Sequence, residues 1–65
     1  MKTLWRRDEP LGTMRRKVRV ITVDGPRISL SAYVVGLKGG IRNVPFVLST
    51  DESVEVLPLL RGAAS

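Results

Sequence analysis

With 65 residues, 43% of them hydrophobic, and a net charge of +5 at neutral pH, the chain makes one small basic domain at most. It contains neither cysteine nor histidine. That excludes disulfide staples and metal centres of thiolate or imidazole type, and it removes the usual general base of enzyme catalysis.

A chain of this size buries only about 60% of the surface its unfolded form exposes, so self-association or a larger assembly is expected to complete the core. The longest apolar run, Ala32 to Val35, is far short of a membrane span. Lys2, Arg6 and Arg7 are followed by Asp8-Glu9-Pro10 rather than by an apolar stretch, so no secretory signal is expected, and a cytoplasmic location follows as the default. The charge is polarised. Residues 1–19 carry seven basic and two acidic side chains, whereas residues 48–65 set Asp51, Glu52 and Glu55 against Arg61. Such a distribution favours a polyanionic partner, with a merely solvated basic face as the plainer alternative.

Residues 1–14 mix charges with two breakers, Pro10 and Gly12, and read as a basic N-terminal arm. Leu4 and Trp5 are its apolar anchors. They either grip a protein partner, since Trp is enriched where surfaces meet, or fold back over the open end of the chain's own core. Residues 15–60 read as a small β domain. Arg19 between Val18 and Val20, and Thr22 between Ile21 and Val23, alternate about a β-branched strand. Asp24-Gly25-Pro26 then forms a turn. On the returning strand Ile28, Leu30, Ala32 and Val34 share one face, and Ser29, Ser31 and Tyr33 share the other.

Gly36-Leu37-Lys38-Gly39-Gly40 is a loop whose spacing matches neither a P-loop nor a dinucleotide fingerprint, and no cofactor is expected. At most one short helical turn fits between Tyr33 and Leu37. Ile41 to Ser49 resumes extended patterning, with Pro45 marking an edge, a strand start or a bulge. Within it Val44, Phe46 and Leu48 share a side, and Phe46 is the expected centre of the core. After the polar turn Ser49 to Ser53, Val54 to Leu60 reads as a last strand interrupted by Pro58, and residues 61–65 read as a flexible tail. The expected fold is thus all-β or mostly β, a small antiparallel meander or barrel of about four strands completed by dimerisation.

The string Val23-Asp24, Arg27-Ile28-Ser29-Leu30, Gly36-Leu37-Lys38-Gly39-Gly40, Phe46, Asp51-Glu52 and Val54 to Pro58 resembles the AbrB/SpoVT/MazE family of swapped-hairpin DNA-binding domains. Pro26, Ser31 and Gly40 stand where that family has Gly, Pro and Asp. The resemblance implies a homodimer whose interleaved hairpins form one barrel and present paired arginines to DNA. By position Arg27 carries over as such an arginine.

Catalysis is not expected. Asp24 sits in a turn where it bonds backbone N–H groups, Asp51-Glu52 lies in an exposed turn, and no imidazole activates a serine. Polyanion binding needs only clustered cations on a rigid surface. Arg15, Arg16, Lys17 and Arg19 crowd the first strand, Arg27 opens its partner, and Lys38 and Arg42 follow. With Arg19 and Arg27 both pointing to solvent, these residues are the expected contacts to duplex DNA, since Trp5 and Tyr33 are too few for an aromatic platform. The alternative is a structural or adaptor subunit of a larger particle, bound through its arm and edge strands.

Overall fold

The β-branched run Val18 to Val23 and the two-residue turn Gly25-Pro26 dictate the centre of the fold. In the computed structural model, which describes residues 1–64, β2 (Arg15–Asp24) and β3 (Arg27–Val35) pair antiparallel with Asp24 opposite Arg27. Gly25 takes the first central position at φ +60, and Pro26 supplies the fixed negative φ that follows, the combination that suits strand twist in a tight hairpin. β1 (Lys2–Leu11) adds on one side and β4 (Ile41–Asn43) on the other, giving a four-stranded antiparallel meander in the order β1-β2-β3-β4. The mostly-β meander of four strands is the expected one, and its membership differs in two places.

The first difference is the arm. Residues 2–11 form strand β1, paired with β2 from Lys2↔Val23 to Leu11↔Arg15. The charges that made it read as a basic arm alternate across the two faces of the sheet instead, with Trp5, Arg7 and Glu9 on one face and Arg6 and Asp8 on the other. A bulge between Thr3 and Trp5 breaks the alternation once, so that both Leu4 and Trp5 pack into the core.

The second difference is the C-terminal segment, where the expected strand Val54 to Leu60 lies inside a helix, α1 (Thr50–Ala64). Ser49 and Glu52 start it with a capping box. The Glu52 N–H donates to Ser49 Oγ at 3.2 Å, and the Ser49 N–H donates to Glu52 Oε1 at 2.9 Å. Asp51 and Glu52 in the first turn favour the helix dipole. Glu52, Val56 and Leu60, four residues apart, form the stripe that meets the sheet. Pro58 is accommodated in the interior without ending the helix. Of the expected tail, residues 61–64 belong to α1, and Ser65 lies outside the described residues.

Extents of 40 × 25 × 15 Å leave room for one sheet and one helix layer. The core lies between them, with Trp5, Ile21 and Val56 at its centre and Leu4, Phe46, Leu48 and Leu60 packed around. Phe46 meets Trp5 edge-on at 6.5 Å and is a flank of the core rather than its middle. It sits on an irregular strap, residues 44–49, that leads from β4 to α1, because Pro45 cannot continue the ladder. Among the described residues no helix is long and apolar enough to cross a membrane.

Candidate nucleic-acid interface

Arg19 is where the structure departs furthest from expectation. It shares a face of β2 with Lys17 and Ile21, and that face is the one α1 covers, so Arg19 is only 5% exposed. Its guanidinium grips Glu52 as a fork, Nη1 to Oε1 at 2.7 Å and Nη2 to Oε2 at 2.5 Å. Nη1 also donates to the Val47 carbonyl at 2.8 Å, and Nη2 to Glu9. The plane lies over Trp5, with Cζ 5.5 Å from the ring centroid. Arg7, opposite Arg19 on β1, donates to the same Glu52 at 2.8 Å and stands 3.7 Å from Glu55. Two arginines side by side on a ladder would repel; here three carboxylates of the same chain surround them.

The hydrogen bonds from Arg19, then the Ser49 N–H, pull the Glu52 carboxyl from its ordinary 4.5 down to about 2 against an opposing effect of burial. The same fork raises Arg19 above its already high value. Both groups therefore stay charged across the accessible pH range. Arg19 is thus a buried structural residue rather than the solvent-facing one expected, and reversing its charge should destabilise the fold.

The remaining expected cations divide into two places. Arg15, Arg16 and Lys17 open β2 beside the β1–β2 turn, Lys38 lies in the adjoining β3–β4 loop, and Arg42 shares a cross-strand row with Val34 and Lys17. These five cations, Arg15, Arg16, Lys17, Lys38 and Arg42, therefore gather at one end of the sheet. Arg16 stands 3.8 Å from Asp8, whereas Arg15, Lys17, Lys38 and Arg42 make no ion pair among the described residues. Arg27 is at the opposite end, eight residues along β2 from Arg16 by register, roughly 25 Å at about 3.3 Å per residue. The expected strip from Arg19 to Arg27 does not form, since one is internal and the other remote.

Leu4 and Trp5, expected as partner anchors, fold back into the chain's own core: Trp5 is 8% exposed, and both pack with Ile21 and Val56. The alternative reading of Trp5 is the one that applies. Arg6 was not among the expected contact residues. It belongs to the sheet face away from α1, binds Asp8 through Nε at 2.9 Å and Nη2 at 3.2 Å, and depresses that carboxyl. The alternation Trp5-Arg6-Arg7 would have signalled it, had residues 2–11 been read as a strand. No family model, curated protein or solved structure matches the chain.

Proposed function

We propose that this is a small, non-enzymatic DNA-binding protein of the cytoplasm that acts as a dimer, in the manner of a transcriptional regulator or antitoxin, and holds duplex DNA by its phosphates. The observation that carries the reading is the gathering of Arg15, Arg16, Lys17, Lys38 and Arg42 at one end of a rigid sheet while the acidic helix neutralises Arg7 and Arg19 elsewhere. Arginine fits phosphate bidentately and lysine meets it as a point charge. The motif likeness to swapped-hairpin DNA-binding domains supports the same class, although its Arg27 lies away from this cluster.

Fluorescence anisotropy with a labelled duplex tests it. A dimer engaging about 6–10 phosphates loses about 10³- to 10⁵-fold in affinity between about 50 and 200 mM salt. Binding that is absent at low salt, or indifferent to salt, defeats the reading. The adaptor alternative is favoured by exposed apolar side chains on several elements, with Leu37 70%, Val54 71% and Ile41 68% exposed. Insolubility of the isolated chain, relieved by a protein partner, would select it.

A further inference from the structure

The helix covers one face of the sheet, and the other face has a groove. Two cross-strand rows supply most of its wall, Arg16 beside Val35 and then Asp8, Val18 and Tyr33, with Arg6 from the next row along. Thr13 and Met14 of the β1–β2 turn and the Gly36-Leu37 corner complete its lining, and the open groove holds about 420 Å³. That volume lies within the roughly 300–1,000 Å³ of ligand clefts. Its apolar lining comes from Val18, Tyr33 and Val35, of which the half-buried Tyr33 and Val35 offer the accessible surface, Val18 being only 2% exposed. Its rim is cationic, with Arg6, Arg15 and Arg16 around the single carboxylate of Asp8. Asp8, bonded by Arg6 and 3.8 Å from Arg16, holds both guanidinium groups beside this lining.

We propose that this groove takes one unpaired nucleotide, its base stacked on Tyr33 and its phosphate held by Arg15 and Arg16. The assignment rests on the nucleic-acid reading above and names a second, single-strand mode beside the duplex one. A ring in the lining selects a planar ligand and a net positive rim selects an anion; a base can offer its face to Tyr33 only when it is unstacked from its neighbours. A bare inorganic anion would leave the apolar lining unused.

The test compares a short oligothymidylate with an abasic strand of the same length, hence the same phosphates, on the full chain. The oligothymidylate is expected to bind about tenfold more tightly, the effect of one stacked base. Tyr33→Leu should erase that difference while leaving duplex affinity unchanged, and Tyr33→Phe, which keeps the ring, should preserve it. Trp5 fluorescence, from the opposite face, reports that each variant is folded. Equal affinity of the wild-type protein for the two strands overturns the groove assignment even where salt-dependent duplex binding persists. A polyglutamate of equal charge that competes as well as the oligothymidylate also overturns it, in favour of an acidic peptide. Conversely, Lys38→Glu with Arg42→Glu, which lie outside the groove, should weaken duplex binding while the preference for thymidylate over abasic strand survives; loss of the preference itself counts against the groove.

Discussion

Arg19 shows how one side chain can carry a fold of this size. A guanidinium buried to 5% exposure is tolerable only because its fork meets Glu52 and its second nitrogen reaches Glu9. Removing one partner leaves a buried charge, so Arg19→Leu should cost about 3 kcal/mol or more, most of the stability a 65-residue domain commands. The double variant Arg19→Leu with Glu52→Leu should be more stable than either single one, as read from urea midpoints. A double variant as weak as the sum of the singles would deny the coupling. The pH dependence follows from the same pair. The folded Glu52 value, about 2, lies below its ordinary 4.5, so its contribution is full above 4.5 and is lost as pH falls toward 2. The depressed Asp8 acts in the same direction, weakly because it is exposed. Thermal melts should therefore be nearly level from neutrality to about pH 5 and drop below it, and Glu52→Gln should flatten that acid limb. The sequence shows that Arg19 alternates with Val18 and Val20, but alternation is symmetric. It does not say which face of β2 a helix will cover, and the outward reading of Arg19 failed on that choice alone.

At the scale of elements, the same limit explains α1. Val54-Glu55-Val56 alternates like a strand, and Pro58 argues against a helix interior, so the local pattern pointed to an extended segment. The decisive signal lay just upstream, in Ser49-Thr50-Asp51-Glu52, a capping box followed by an apolar run with Val56 and Leu60 at helical spacing. Those two bonds specify the helix start and also aim Glu52 at Arg19. Pro58 is then an embedded cost, since it removes one backbone donor and crowds the preceding turn. Pro58→Ala, at an exposed position, should raise helicity by circular dichroism and raise the melting temperature, up to the roughly 3 kcal/mol separating Pro from Ala in a helix. A lower melting temperature would mean that the proline sets a bend the packing requires. The pairing and turn of the β2–β3 hairpin, by contrast, were legible, because its turn chemistry and its period-2 patterning agree, although not which of its faces is covered.

Over the whole molecule, the polarised charge of the sequence has two uses. The acidic C-terminal segment folds back on the basic N-terminal half, where Glu52 and Glu55 meet Arg7 and Arg19. The cations beyond their reach lie at the far end of the sheet and supply the proposed contact surface. Linear charge counting merges these populations, so it marked a basic front end without telling the internal arginine from the external ones. Lys38→Glu with Arg42→Glu should lower duplex affinity by at least tenfold at low salt and reduce the salt slope by about two, with the melting temperature unchanged. A folded variant with undiminished affinity would place the DNA contact elsewhere.

The core residues Trp5, Ile21 and Val56 come from the first strand, the second strand and the helix. Until α1 docks, the meander is an open-faced sheet with its indole uncovered and the side chains of Arg7 and Arg19 turned to water. Closing this core joins segments far apart in sequence, so docking of the helix, rather than zipping of the adjacent strands, is the slow step expected of folding.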